Sequence, residues 1–440
     1  MTGLSLARDR HLFGPGPKRI LALDGGGVRG AISVAFLERI EAMLRRRHGE
    51  ETRLCDHFDL VGGTSTGAVI AGALALGFSV AEVKDFYLKL APQAFKRRRW
   101  HVPVLQAKFD ARGLRRQIEA VVDGRTLDSP DLKTGLAIVA KRVDTGSPWI
   151  LSNNPHAPFW EDGFDADGTP YIGNRHYSLA TLVRASTAAP HYFDPEIIAI
   201  GAREPELPDD VAKPLDRPWP LRLIFAAMER FVIRRTEKMS PETHGLFVDG
   251  AVSPHGNPSL ALFQLATLSR LGICWPLGPD RLTLVSIGTG GFRPRLAFGE
   301  LGFARFPRIA LHAMTSLMTD AETMVLALMQ WMGECPAPWP INSEVGTLAG
   351  DALPGGKMFR FLRYDVRLEA DWIERELGQR ISAHDLARYR GMDDPGIVHE
   401  VYELARIAAD RQFKLEHWPV ASEKSGAASP RAAEPPEVVR

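Results

Sequence analysis

Val61-Gly62-Gly63-Thr64-Ser65-Thr66-Gly67 is the stretch on which the reading of this 440-residue chain turns. The apolar run before it, Phe58-Asp59-Leu60-Val61, reads as the end of a buried strand. The run after it, Ala68-Val69-Ile70-Ala71-Gly72-Ala73-Leu74-Ala75-Leu76, reads as a buried helix. Gly63-Thr64-Ser65-Thr66-Gly67 is therefore a G-x-S-x-G between strand and helix, the setting of a nucleophile elbow. The nucleophile of such a turn sits in strained backbone, so Gly63 and Gly67, two residues to either side, must lack side chains. The turn lifts the Ser65 hydroxyl clear of the sheet and sets it at a helix N-terminus, where free N–H groups favour negative charge. The plainer alternative is a glycine-rich turn with an incidental serine.

Towards the N-terminus, Arg19-Ile20-Leu21-Ala22-Leu23 is a short buried strand that runs into Asp24-Gly25-Gly26-Gly27-Val28-Arg29-Gly30. From Ala31 to Arg47, Ile32, Phe36, Ile40 and Met43/Leu44 recur at helical spacing, and Arg45-Arg46-Arg47 meets the negative end of the helix dipole. Strand, helix, strand, helix predicts a parallel sheet. The glycine loop matches G-x-G-x-x-G. A dinucleotide site of that form needs an acidic residue at the end of the next strand, which here is Val61-Gly62-Gly63. The other use is an oxyanion hole, with bare N–H groups of Gly25, Gly26 and Gly27 aimed at developing negative charge and Gly30 completing the turn. Arg29 either adds positive charge there or pairs with a carboxylate.

Ser65 needs a proton acceptor. His312, His384, His399 and His417 lie late enough for an α/β-hydrolase order, but none sits at an obvious strand exit. Asp249 does: Leu246-Phe247-Val248-Asp249-Gly250-Ala251 is a strand running into a turn. An ordinary Asp-Gly turn explains it equally well from local sequence. A carboxylate is a weak base for a hydroxyl unless burial raises its pKa and it touches the hydroxyl directly.

Further strands are expected at Leu132 to Val143, Trp149 to Ser152 and Leu282 to Gly290, and helices at Val80 to Ala91, Leu179 to Ala189 and Pro258 to Leu271. Residues 153–175 read as loop. Beyond Gly291 the chain reads as mainly helical, with one strand near Phe359 to Leu368. At 45% hydrophobic and 24% charged, with net charge +1, the composition is that of a globular protein without a global field for nucleic acid. Cys55, Cys274 and Cys335 are too far apart for metal-ligand spacing or a disulfide framework, which suits a reducing compartment. No signal peptide or membrane-spanning run is visible, so the expectation is a cytoplasmic protein with at most peripheral membrane contact.

Three blocks together resemble the patatin-like phospholipases. Asp24-Gly25-Gly26-Gly27-Val28-Arg29-Gly30 is similar to that family's oxyanion loop, Gly63-Thr64-Ser65-Thr66-Gly67 to its elbow, and Asp249-Gly250-Ala251 to its DG(A/G) motif. Ala185-Ser186-Thr187-Ala188-Ala189-Pro190-His191-Tyr192-Phe193 is similar to a further segment near its active site. Ala251 in place of a second glycine, and Ser253-Pro254-His255-Gly256-Asn257-Pro258, depart from some relatives. The resemblance implies a three-layer α/β fold with a central, mainly parallel sheet and helical elaborations. It implies a Ser–Asp dyad in which Ser65 is the nucleophile and Asp249 the base, acting without metal or cofactor on acyl esters of phospholipids or related lipids. The expected organisation is a flexible segment 1–17, a catalytic domain 18–291 with an insert at about 201–240, a mainly helical extension 292–420 packed on the core, and a disordered tail 421–440. The alternatives are a His-dependent serine esterase of α/β-hydrolase type and a non-catalytic lipid- or nucleotide-binding protein.

Lipid access has three candidates in the sequence. Leu221, Ile224, Phe225, Met228, Phe231 and Val232 share one face between flanking arginines, which suits an interfacial helix or lid, or a helix packed on the core. Lys96-Arg97-Arg98-Arg99-Trp100-His101 suits anionic headgroups or a plain exposed loop. Met324 to Trp331 suits core more than an acyl groove.

Overall fold

The computed structural model describes residues 6–94, 109, 111–201, 242–294 and 305–418. The basic stretch 96–101, the amphipathic stretch 221–235 and the segment 421–440 lie outside the described residues. Eleven strands are described: β1 (Lys18–Leu23), β2 (Leu60–Thr64), β3 (Gly135–Arg142), β4 (Pro148–Ser152), β5 (Gly163–Phe164), β6 (Pro170–Tyr171), β7 (Glu196–Ala199), β8 (His244–Asp249), β9 (Leu282–Ile287), β10 (Gly333–Glu334) and β11 (Phe359–Tyr364). The described α-helices are α1 (Ala7–Phe13), α2 (Gly30–His48), α3 (Thr66–Ala75), α4 (Val80–Ala94), α5 (Ala111–Val122), α6 (Leu179–Ser186), α7 (Ser259–Thr267), α8 (Arg305–Met332), α9 (Ala370–Leu377), α10 (Ala383–Tyr389) and α11 (Val398–Gln412).

Nine strands form one sheet in the order β10-β11-β9-β1-β2-β3-β8-β7, with β4 also paired to β3. From β10 to β3 every neighbour on this path is parallel. β3–β4, β3–β8 and β7–β8 are antiparallel. The fold is α/β with helices on both faces, and the side-chain alternation of the strands shows why. Leu21 and Leu23 of β1, Val285 and Ile287 of β9, and Leu362 and Tyr364 of β11 point into one core with α2, α3, α6 and α11. Their neighbours Ile20 and Ala22, Leu282 and Leu284, and Phe359 and Phe361 point into a second core with α7 and α8. A strand covered on both faces carries no polar alternation, which is why β1 and β9 read as continuous apolar runs.

Three sequence expectations are corrected, and a fourth holds. The N-terminal segment, expected to be flexible, holds α1, whose Leu12 is buried and whose Leu12 carbonyl accepts the Trp275 indole N–H at 2.7 Å. The loop 153–175 contains the two-stranded ribbon β5–β6. The strand expected near Phe359 to Leu368 is β11, which pairs with β9 and continues the central sheet. The strand end expected at Phe58 to Val61 lies further on, so that β2 ends at Thr64 and delivers Ser65 directly.

Candidate active site

Ser65 follows β2 and caps α3 with φ 55° and ψ −124°, a left-handed backbone that a side chain rarely adopts. The turn closes because its flanks are bare. A Cβ on Gly63 would lie 2.2 Å from the Gly67 carbonyl, and one on Gly67 2.2 Å from the Leu23 carbonyl oxygen. The Ser65 N–H donates to Ser186 Oγ at 2.8 Å, and Ser186 Oγ–H donates to the Val139 carbonyl at 2.6 Å. Thr64 Oγ1 donates to the His255 carbonyl at 2.6 Å.

Asp249 reaches the same place by an offset register. β8 runs antiparallel to β3 but overlaps only its C-terminal half, with Asp249 opposite Ala140. The residue beside it, Val139, is the partner of Thr64 on β2. The last residue of β8 therefore arrives one position from the end of β2, although the two strands run in opposite directions. The Ser65 side chain lies near enough to the Asp249 carboxyl to pull its pKa down. Its Oδ1 also accepts the Ala251 N–H at 2.8 Å, and its own N–H donates to the Ala188 carbonyl at 3.0 Å. Burial raises its pKa to about 6, against the lowering pull of the nearby Ser65 side chain, the Ala251 hydrogen bond and the Arg184 charge. Gly250 is tight as well, since a Cβ there would lie 2.5 Å from the Val139 carbonyl oxygen.

The glycine loop comes alongside: a Cβ on Gly25 would lie 3.2 Å from Ser65 Cβ. Its amides are not equivalent. The Gly25 N–H donates to the Gly256 carbonyl at 3.0 Å, and the Arg29 N–H to the Gly26 carbonyl at 3.2 Å. The Gly30 N–H is taken by the carbonyls of Gly27 and Val28. Among the described residues no acceptor takes the Gly26 or Gly27 N–H. Gly27 holds φ 58°, and its carbonyl is turned back to accept Thr66 Oγ1 at 2.8 Å and the Tyr87 hydroxyl. Of the loop residues singled out in the sequence, Gly26 and Gly27 thus keep open donors, while Gly25, Arg29 and Gly30 are committed within the fold. The Arg29 side chain, moreover, is committed as well. Its Nη1 donates to the Gly290 carbonyl at 2.8 Å and its guanidinium lies over Phe292.

Sequence reasoning passed over two groups here. His255 lies in the loop after Asp249, with its ring Nδ1 unpartnered among the described residues and burial lowering its pKa. Glu322 of α8 lies against the same loop: a Cβ on Gly256 would be 2.7 Å from its Oε1. Burial pushes its pKa up to about 7. The signal for His255 was its nearness to Asp249 in sequence; Glu322 had none. Met324 and Trp331, expected in the core, are exposed at 53% and 40%, whereas Val325 and Met329 between them are buried.

The sequence model of the patatin-like phospholipases matches residues 21–262, a span holding the loop, the elbow and Asp249. The chain is 32% identical over 182 residues to a cGAMP-activated phospholipase of Escherichia coli (strain TW11681), covering 40% of this chain and 48% of that protein. It is 41% identical over 292 residues to patatin-like protein 1 of Arabidopsis thaliana, covering 62% of this chain and 58% of that protein. The chain thus spans about half the length of the curated relatives it matches. Among solved structures it is similar to human GIVD cytosolic phospholipase A2, with TM-score 0.37 and 12% identity over 92% of this chain and 59% of that one. With more than half of its length matched by one family, the chain belongs to the patatin-like phospholipases.

Proposed function

We propose that this protein is a lipid acyl hydrolase of phospholipase A or lysophospholipase type, working through a Ser65–Asp249 dyad. The observation that carries the reading is a buried carboxyl whose pKa is raised to about 6, close enough to the Ser65 side chain to feel it and beside a loop with two open amides. Asp249 takes the Ser65 proton as Oγ attacks the ester carbonyl. The N–H groups of Gly26 and Gly27 receive the oxyanion, and the tetrahedral intermediate collapses with the alcohol leaving on the returned proton. Water, deprotonated by the same carboxylate, then releases the fatty acid. Arg29 acts through loop shape, because its guanidinium is bound at Gly290.

The test is fluorophosphonate labelling followed by peptide mapping, with turnover of a fluorogenic phospholipid measured alongside. The expected label is on Ser65. Ser65→Ala and Asp249→Asn are each expected to lower turnover at least about 1,000-fold, since members of a catalytic unit fail together. A label on another residue, or near-native turnover in either variant, overturns the dyad.

A further inference from the structure

We infer that Arg363, from the C-terminal strand β11, positions the glycine loop for catalysis through a buried clamp that ties together the ends of β1, β9 and β11. This inference rests on the oxyanion role proposed above for Gly26 and Gly27. Arg363 is 8% exposed, and its Nη2 reaches Asp24 Oδ2 and Asp365 Oδ2, each at 2.7 Å. Its Nη1 donates to Ser286 Oγ at 2.7 Å. Asp24 immediately precedes Gly25-Gly26-Gly27, Ser286 lies in β9, and Asp365 directly follows β11. One guanidinium therefore fixes three neighbouring strand ends.

The clamp continues to the loop itself. Asp365 Oδ1 accepts the Gly290 N–H at 2.9 Å, and the Gly290 carbonyl holds Arg29 Nη1 at 2.8 Å. Thr289 Oγ1 donates to the Gly25 carbonyl at 2.6 Å and packs where a Cβ on Gly26 would be. The turn 288–291 is thus pressed against the peptide whose N–H is left open, and Arg363 with Asp365 sets where that turn lies. Burial works against the Arg363 charge, but its two carboxylates more than offset this and raise its pKa. Two carboxylates on one fork are more than bulk packing requires. They specify orientation, and a shift of about 1 Å in a donor is enough to lose the tightening on the transition state. Arg363 and Thr289 touch no reacting atom, so both are positioning residues.

The test uses the full chain with Arg363→Lys, which keeps the charge and loses the fork, and Thr289→Val, which changes no charge and keeps the shape. For each, kcat and KM are measured with p-nitrophenyl butyrate, together with Ki for an alkyl trifluoromethyl ketone, whose adduct places an oxyanion on the loop. The expected result is a 10- to 100-fold loss in kcat, KM within threefold, and a rise in Ki by the same factor as the loss in kcat. If kcat stays within threefold in both folded variants, the inference is overturned. It is overturned equally if KM rises in step with the kcat loss, since that is general loosening of the site. Should Arg363→Lys not fold, Thr289→Val decides alone. A wild-type protein that neither hydrolyses the ester nor labels on Ser65 overturns the proposed function and this inference with it. Active wild-type protein with unaffected variants overturns only the inference.

Discussion

As the proposed base, Asp249 must be ionised to take a proton from Ser65, and its burial opposes that. With a pKa raised to about 6, the proposed base is mostly charged at pH 7 and mostly protonated at pH 5. Turnover is therefore expected to rise with pH through about 6 and to fall about tenfold for each unit below it. A kcat profile flat from pH 4.5 to 7.5 would contradict this. A part for His255, which the sequence reading passed over, is tested on the same axis. His255→Gln is expected to leave that limb in place with kcat within about threefold, because no hydrogen bond links the His255 ring to the dyad among the described residues. The sign for stability is opposite to that for activity. A carboxyl whose folded pKa is raised binds more protons folded than unfolded, so its penalty develops as pH rises from about 4 to about 6 and persists above. Asp249→Asn is expected to be inactive yet more stable at pH 7 by roughly 1–2 kcal/mol, below the roughly 3 kcal/mol that a displacement of this size represents. Chemical denaturation at pH 7 and pH 4.5 checks this, with the gain shrinking at the lower pH. These residues were legible in the sequence because elbow, glycine loop and Asp-Gly exit each follow a strand. What was not legible is which amides are spent. The acceptor of the Gly25 N–H is Gly256, more than 200 residues away, and nothing local marks it.

The helix α8 has two unlike faces. Val325 and Met329 face the core shared with Phe359 and Phe361, while Leu317, Met324 and Trp331 recur at seven-residue spacing on the exposed side. Composition alone could not separate these faces, since methionine and leucine stand on both. Met329→Ala is expected to cost about 2–4 kcal/mol, as large-to-small changes in a packed core do. Met324→Ser is expected to change stability by less than about 0.5 kcal/mol. Urea midpoints of the two variants decide it, and equal losses would mean that the helix is rotated from this placement. The same physics explains which strands could be read. β1, β3 and β9 are interior strands with long apolar runs, and they were legible. β7 is a four-residue edge strand, buried and exposed in alternation, and its signal was too short. β8 was recognised as a strand, but its antiparallel, offset pairing was not, because register depends on partners rather than on the strand's own residues.

Across the whole molecule, the family match ends at residue 262 but the sheet does not. β9 lies between β1 and β11, so the parallel half of the sheet is closed only by residues past 358. The helical layer over β1 and β9 is also incomplete without α11, which packs along α2. Leu362, Tyr364, Ile373, Val401, Tyr402 and Leu404 all belong to the larger core. At about 1.5–3 kcal/mol for each fully buried side chain, losing those six forfeits roughly 10 kcal/mol or more. That matches the entire 5–15 kcal/mol by which a typical domain is stable. A chain ending at residue 294 is therefore expected to keep every motif residue and still lack a native state. It should show no cooperative thermal transition, strong dye binding by exposed apolar surface, and no labelling of Ser65. A chain ending at residue 418 is expected to melt cooperatively and to label as the full chain does. Calorimetry and fluorophosphonate labelling of the two fragments separate the cases. A cooperative melt with labelling in the shorter one would show that β11 and α11 are accessory rather than part of the catalytic core.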